Sequence, residues 1–175
     1  MKNTLFILLA LLVTQFSIAQ EKEPETLSEL LKIYNKLSNV PYISVQELAN
    51  QKTVTIILDA REINEYNVSH LKDAIYVGHD YFSLDSIQKQ LPNKDAKIVV
   101  YCSLGIRSET VAEKLKTGNY TNVYNLYGGI FEWKNNDFKV FDSKETATEN
   151  VHTFNEQWSK WLLKGKKIYP QEKKD

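Results

Sequence analysis

The amino-acid sequence predicts an α/β domain in which helices cover both faces of a mainly parallel sheet of about five strands. Short apolar runs, several of them rich in valine and isoleucine, alternate along the chain with amphipathic segments of helical length. Residues 98–101 are apolar throughout, as expected of a parallel strand that is buried on both faces. A length of 175 residues suits one domain with a sizeable core.

The individual elements follow from local signals along the chain. Ser44, followed three residues later by Glu47, forms a capping-box pattern that opens a short helix. The predicted strands are residues 42–44, 54–58, 74–77, 98–101 and 122–126. Further helices are predicted over residues 81–91 and from residue 109 to a stop signal at Gly118.

Residues 20–40 are predicted to be an N-terminal helical extension of the domain. Their apolar positions recur at helical spacing: Leu27, Leu30, Leu31, Tyr34 and Leu37. The expected role of this helix is to pack outside the domain, and the alternative is a helix that binds a partner.

Residues 141–175 are predicted to be a C-terminal extension with an amphipathic helix. Four apolar side chains share one helical face: Phe154, Trp158, Trp161 and Leu162. Lysines make the rest of this segment basic, so it could dock on the domain, bind a partner or lie on a membrane surface. Docking is the default, because two exposed tryptophans would form a costly apolar patch.

Residues 1–19 have the features of a signal peptide. A basic start precedes an apolar run at residues 5–13, and Ser17 and Ala19 are small residues at the positions that a signal peptidase reads. The run is far shorter than the roughly 20 residues that a membrane-spanning helix needs. We therefore expect an exported protein, periplasmic if the source is Gram-negative, whose mature chain begins at Gln20 and has no stable membrane span. An uncleaved N-terminal anchor is the alternative.

Charge and cysteine content limit the possible partners. Lysine plus arginine and aspartate plus glutamate both total 22, so nothing in the bulk charge indicates a nucleic-acid partner. The sequence has a single cysteine, which excludes an intrachain disulfide. We expect no cofactor, and we expect no metal site, because neither His79 nor His152 has a partner at ligand spacing.

Cys102 stands at the point where a strand passes through a tight loop into a helix. Backbone N–H groups of such a loop and of the first helical turn favour an anion. A thiol at this point should have a lowered pKa and exist largely as the nucleophilic thiolate. Arg107 adds a permanent positive charge to the same loop.

Three stretches of the sequence together resemble single-domain rhodaneses, the thiosulfate sulfurtransferases. The first is the six-residue loop Cys102-Ser103-Leu104-Gly105-Ile106-Arg107, which has the Cys-x-x-Gly-x-Arg form. The second is Leu58-Asp59-Ala60-Arg61 with the segment from Glu65 through His70 to Ala74, and the third is Leu126-Tyr127-Gly128-Gly129 with Trp133. Ser69 and Asp73 depart from the pattern, because glycine is usual at both positions. The resemblance implies a rhodanese-like domain over residues 41–140.

The resemblance implies a sulfurtransferase that works through a Cys102 persulfide. Sulfane sulfur would pass from thiosulfate or a similar donor to cyanide, a thiol or an acceptor protein. The implied substrate-binding residues are Ser103, Leu104, Gly105, Ile106, Arg107, Ser108 and Arg61. The alternatives are a non-catalytic sulfur-relay or binding module, and a cysteine phosphatase or arsenate reductase. The latter enzymes use a Cys-x5-Arg loop, which is one residue longer than this one.

The roles of several side chains stay open at this point. Arg61 either lies on an electropositive rim or, the preferred interpretation, pairs with Asp59 or Glu65. Arg107 either steers an anionic donor, which is slightly favoured, or forms a salt bridge that shapes the loop. Ser108 is either the helix N-cap or a hydrogen-bond donor to the thiolate, or both. His70 is expected to brace its loop rather than to pair with Cys102.

Overall fold

The computed structural model describes residues 23–35, 38–51 and 53–169. The predicted signal peptide and Leu37 lie outside these residues. The strands are β1 Tyr42–Ile43, β2 Ile56–Asp59, β3 Ile75–Tyr76, β4 Ile98–Tyr101, β5 Val123–Leu126, β6 Val140–Phe141, β7 Ala147–Thr148, β8 Asn150–His152 and β9 Lys166–Ile168. The helices are α1 Leu27–Tyr34, α2 Val45–Ala49, α3 Ile63–Val68, α4 Leu84–Gln90, α5 Arg107–Thr117, α6 Gly129–Asn135 and α7 Glu156–Ser159.

The central sheet has five strands in the order β1-β5-β4-β2-β3, and every neighbouring pair is parallel. β4 lies at the centre, and all four of its residues are buried. The predicted sheet is therefore confirmed. The carboxyl ends of parallel strands meet at one edge of a sheet, so the residues that follow β2, β4 and β5 come close together there.

Helices cover both faces of the sheet, as predicted. Side chains alternate along β4, so this strand contributes to a separate core on each face. Val99 and Tyr101 face a core shared with α1, α2 and α6. Ile98 and Val100 face a second core shared with α4 and α5. The continuous apolar run at 98–101 is explained by these two cores.

Several predicted boundaries shift in the structure. The second strand begins at Ile56, and Val54 is 93% exposed. The strand predicted over 74–77 contains only Ile75 and Tyr76 and is an exposed edge strand rather than a core strand. The apolar run at residues 74–77 is too short for its pattern to distinguish an edge strand from a central one.

Capping boxes fix the starts of α1 and α2. The hydroxyl of Thr26 accepts the N–H of Glu29, and the carboxylate of Glu29 accepts the N–H of Thr26. Ser44 and Glu47 make the same reciprocal bonds, so the predicted box is confirmed. Leu30 of α1 is buried in the first core, which supports packing of this helix against the domain.

The C-terminal extension differs from the predicted amphipathic helix. Among its described residues, 141–169, only one helical turn, α7, forms, and it lies between β8 and β9, which pair in parallel. Phe154 has a positive φ of 62°, and the side chain of Asn155 accepts the N–H of Trp158, so the helix cannot extend back through residue 154. Leu162 is nevertheless buried, and both tryptophans pack on the core, so the segment docks on the domain.

Within residues 23–35, 38–51 and 53–169, no helix has the length and apolar character needed to cross a membrane.

Candidate active site

The Cys102 loop joins the end of β4 to the start of α5. Gly105 has a φ of +98°, which side-chain-bearing residues rarely adopt, and this turn brings its N–H to 3.2 Å from the Cys102 sulfur. A glycine at this position of the motif is therefore a geometric requirement. The loop wraps around the sulfur, as the sequence predicts.

Gly129, at the start of α6, holds the same loop from the other side. A Cβ atom on this residue would lie 2.2 Å from the carbonyl oxygen of Cys102, and its φ is +55°. The close approach lets the N–H of Ile130 donate to that carbonyl at 2.9 Å and the N–H of Phe131 donate to the carbonyl of Ser103 at 3.1 Å. The Gly128-Gly129 pair is thus needed both for positive φ and for close backbone contact.

The pKa of the Cys102 thiol lies below its ordinary value. Burial alone raises this pKa, because the thiolate loses water. The charge of Arg107, the Ser108 hydroxyl and backbone N–H groups of Ser108 and Leu104 lower it by more. A lowered pKa raises the fraction of Cys102 that is present as the thiolate, the nucleophilic form, although the residue is only 2% exposed.

Arg107 forms a two-pronged ion pair with Glu65, a residue of α3. Its two terminal nitrogens lie 2.6 and 2.8 Å from the Glu65 carboxylate oxygens. The hydroxyl of Ser103 donates to the same carboxylate at 3.1 Å. This pair holds the pKa of Glu65 at about 2 despite burial, which by itself raises it. Of the two roles considered for Arg107, the geometry shows the salt bridge that shapes the loop.

Ser108 contacts both the sulfur and a buried asparagine of β5. Its oxygen lies 3.4 Å from the Cys102 sulfur and 2.7 Å from Oδ1 of Asn125. The amide of Asn125 donates to the carbonyl of Gly105 and to Glu109, which fixes its orientation. The helix N-cap is Ile106, so the N-cap role predicted for Ser108 is wrong, and its place beside the sulfur agrees with the alternative.

Arg61 is fully buried and lies in an ion pair rather than on a rim. Its Nη2 atom lies 2.6 Å from the Asp59 carboxylate and donates to the carbonyl of Ser69 at 2.5 Å. The Tyr101 hydroxyl donates to the same carboxylate, which joins the pair to β4. The preferred interpretation, pairing with Asp59, agrees with this geometry. Its place in the substrate-binding set is corrected, because no part of the side chain is exposed.

A small pocket of about 150 Å³ opens in front of the sulfur. Its lining combines the predicted loop with two aromatic residues of the C-terminal extension: Cys102, Ser103, Leu104, Ile106, Arg107, Phe154 and Trp158. The sequence pattern predicts a docked face that includes Phe154 and Trp158 but does not place them in the site. It also missed the roles of Glu65 and Asn125. For Asn125 a signal was available, because an amide within a buried strand usually has a specific partner.

His70 and His79 take no part in the sulfur site. His70 stacks on the ring of Tyr66, and its ring nitrogens contact the Tyr66 carbonyl and Glu145, so it braces its loop as expected. His79 lies with Glu62 and Asp80 in a group whose ligand atoms are within 4.8 Å of one another. The sequence pattern indicates no such partners for His79, so the expectation drawn from it for this residue is wrong. Nδ1 of His79 lies 2.8 Å from Asp80, and the N–H of Asp80 donates to Glu62 at 3.4 Å.

Comparison with known proteins identifies the family. The model of the rhodanese-like domain matches residues 44–136, more than half of the chain. The chain therefore belongs to the rhodanese-like domain family. Curated relatives include the tRNA uridine(34) hydroxylases of Onion yellows phytoplasma, 36% identical over 53% of this chain and 32% of the relative, and of Hamiltonella defensa, 31% identical over 73% and 36%. The chain thus spans about a third of the length of these relatives.

Solved structures show the same fold. The thiosulfate sulfurtransferase of Pseudomonas aeruginosa superposes with a TM-score of 0.55 at 18% identity, over 66% of this chain and 23% of that one. A rhodanese-like domain from Anabaena sp. superposes with a TM-score of 0.54 at 22% identity, over 61% and 82%. The matched family region ends before residue 141, so the aromatic wall of the pocket comes from a segment outside it.

Proposed function

We propose that this protein is a sulfurtransferase that moves sulfane sulfur from thiosulfate or a similar donor to a thiophilic acceptor. The observation that carries the proposal is the Cys102 sulfur, held at the end of β4 with a lowered pKa and a backbone N–H 3.2 Å away. A thiolate in this setting attacks electrophilic sulfur, and the loop then stabilises the charge left on the transferred sulfur atom.

In the first half-reaction the Cys102 thiolate attacks the outer sulfur of the donor. A new S–S bond forms to that sulfur as the donor's own S–S bond breaks, and its electron pair leaves with sulfite when the donor is thiosulfate. The product is a Cys102 persulfide anion. The N–H of Gly105 donates toward the Cys102 sulfur at 3.2 Å and is the hydrogen-bond donor nearest to this charge. The Ser108 oxygen lies 3.4 Å from the same sulfur, and its hydroxyl also has Oδ1 of Asn125 as an acceptor.

In the second half-reaction a nucleophilic acceptor removes the outer sulfur. Cyanide attacks the terminal sulfur of the persulfide, thiocyanate leaves, and the electron pair of the broken S–S bond restores the thiolate. A thiol or an acceptor protein would take the place of cyanide in the cell. Arg107 acts here through charge and loop shape, because both of its terminal nitrogens pair with Glu65.

The test is thiocyanate formation from donor and cyanide by the purified chain, with intact mass measured after donor alone. We expect turnover and a mass gain of one sulfur atom, and loss of both in Cys102→Ser. Wild-type protein alkylated with iodoacetamide is a matched control, because the sequence has one cysteine to alkylate. A protein that gains no sulfur from any donor would refute the proposal.

The two alternatives are separated by these measurements together with phosphatase and arsenate-reduction assays. A sulfur-relay or binding module would gain the sulfur atom but release little thiocyanate. A cysteine phosphatase or arsenate reductase would hydrolyse an aryl phosphate or reduce arsenate. The loop separates Cys102 from Arg107 by four residues, and its smaller ring suits a sulfur atom better than a tetrahedral oxyanion.

The proposed partners are a small-molecule sulfur donor and a thiol acceptor, with no nucleic acid. The equal totals of acidic and basic residues support this, because nucleic-acid binding draws on clustered positive charge. The named relatives act on tRNA, so the matching measurement is a gel-shift assay with tRNA, in which we expect no binding.

We also propose export through residues 1–19. Fractionation of cells, with N-terminal sequencing of the mature chain from Gln20, tests it.

A further inference from the structure

The pocket in front of Cys102 is closed on one side by the C-terminal extension. Phe154 and Trp158 face the loop residues Leu104 and Ile106 across a space of about 150 Å³. A volume of this size, lined by apolar side chains, is enough to hold a benzene ring. The pocket therefore has the size and lining of a site for an apolar group.

The aromatic wall is held in place by contacts from several elements. The N–H of Phe154 donates to Nδ1 of His152 at 3.0 Å, and β8 and β9 pair directly beside it. Trp158 meets the ring of Tyr34 from α1 edge to face, with centroids 5.8 Å apart. The wall is thus part of the folded domain and does not require a ligand to form.

The positive charge that borders the pocket is already paired. Among the described residues that line it, Arg107 is the only cation, and Glu65 pairs with both of its terminal nitrogens. The guanidinium carbon lies over the Phe154 ring, 4.9 Å from its centroid, so this ring covers one face of the cation. A dianion that entered this pocket would lose water without gaining a free positive charge in return.

We propose that the sulfur donor of this protein is an organic sulfane-sulfur compound whose apolar group occupies the space between the loop and the wall formed by Phe154 and Trp158. Organic persulfides and thiosulfonates belong to this class, and the inorganic dianion thiosulfate is a poor donor by comparison. The inference rests on the proposed sulfur transfer at Cys102 and specifies its substrate class.

The reaction with a thiosulfonate balances without any further reactant. The Cys102 thiolate attacks the outer sulfur of R–SO2–S⁻, a bond forms between the two sulfurs, and the donor S–S bond breaks. Its electron pair leaves on the sulfinate R–SO2⁻, and the Cys102 persulfide anion remains. Only the group R distinguishes this step from the reaction of thiosulfate, so a series of donors probes the pocket directly.

The experiment compares kcat/KM for benzenethiosulfonate, methanethiosulfonate and thiosulfate, with cyanide as the acceptor. The intrinsic reactivities of the donors differ, so the quantity of interest is the change in their ratio on substitution. We expect Phe154→Ala combined with Trp158→Ala to lower kcat/KM for the aryl donor by about tenfold or more relative to both methanethiosulfonate and thiosulfate. Tyr81→Ala, which removes a ring that is 92% exposed, is the control and should change neither.

Two further measurements keep the result decisive if the double variant is unstable. Phe154→Ala alone, at a side chain that is 43% exposed, should keep the fold and still lower the aryl-to-methyl ratio. Trp158→Phe keeps an apolar wall and should retain the preference. If Phe154→Ala and the double variant both leave the ratio of kcat/KM between the donors unchanged, the inference is overturned. Sulfur transfer at Cys102 would still stand. A protein that forms no persulfide with any donor would overturn the proposed function as well.

Discussion

Removal of the Glu65 carboxylate should weaken the fold far more than a single substitution normally does. Glu65→Gln keeps the size of the side chain but leaves Arg107, which is only 20% exposed, without its anionic partner. The pKa of Glu65 falls from 4.5 to about 2 in the folded chain. At 1.36 kcal/mol per pH unit this corresponds to about 3 kcal/mol of stability at neutral pH. This figure agrees with the loss of stability, about 3–5 kcal/mol, that is typical when one partner of a buried ion pair is removed.

The pH dependence gives this prediction a distinctive sign. Because the folded pKa is lowered, the stabilisation is fully present above about pH 4.5 and is lost as the pH falls toward 2. The difference in unfolding free energy between wild type and Glu65→Gln should therefore shrink in acid, to about half of its neutral value at pH 3. Other carboxylates titrate in both proteins, so their effects cancel in the difference.

Urea unfolding, followed by tryptophan fluorescence at pH 7 and pH 3, measures both quantities. Glu113→Gln is the matched control, because Glu113 lies on the exposed face of α5 and should change stability by less than about 0.5 kcal/mol. A Glu65→Gln difference below about 1 kcal/mol at pH 7, or one that is the same at both pH values, would refute the reasoning. Iodoacetamide alkylation of Cys102 in the same variant should remain fast, because the charge of Arg107 is still present.

Three further substitutions test separate parts of the site. Gly129→Ala should lower stability by more than about 2 kcal/mol and slow sulfur transfer, because its Cβ would overlap the Cys102 carbonyl. Thermal unfolding and thiocyanate assays measure these effects, and an unchanged melting temperature would contradict the prediction. Ser108→Ala should raise the pKa of the Cys102 thiol, so the pH profile of iodoacetamide alkylation should move to higher pH, and an unmoved profile would show that the hydroxyl serves only Asn125. Tyr101→Phe should cost about 1–3 kcal/mol in urea unfolding by removing a buried hydrogen bond to the Asp59–Arg61 pair, and a cost near zero would contradict that role.

The strand, loop and helix around Cys102 could be predicted because their signals are local. The apolar run of β4, the glycine at 105 and the helix that follows it lie within twenty residues of sequence, and each imposes its own backbone geometry. The partner of Arg107 could not be predicted in the same way. Glu65 lies on another helix 42 residues earlier in the chain, and only the sheet order brings the two together.

The C-terminal extension shows why periodicity alone misleads. The positions of Phe154, Trp158 and Leu162 fit a helical face, but the same spacing is met by one helical turn followed by tight turns. Asn155 lies inside the run and is a strong N-cap residue, so it indicates that a helix begins there rather than continues. The apolar residues still face the core, because burial depends on their hydrophobicity and not on the element that carries them.

The pairing of β8 with β9 joins the two ends of the segment that carries Phe154 and Trp158. His152 and Ile168 are register partners, so everything between them is a closed loop of chain anchored at one place on the domain. The nucleophile lies on a different part of the chain, between β4 and α5. Insertions or deletions in the closed loop would therefore resize the pocket without moving the thiolate. Under the proposed function, donor preference would depend on this closed loop and the thiolate chemistry on the Cys102 loop, so that each could change while the other is kept.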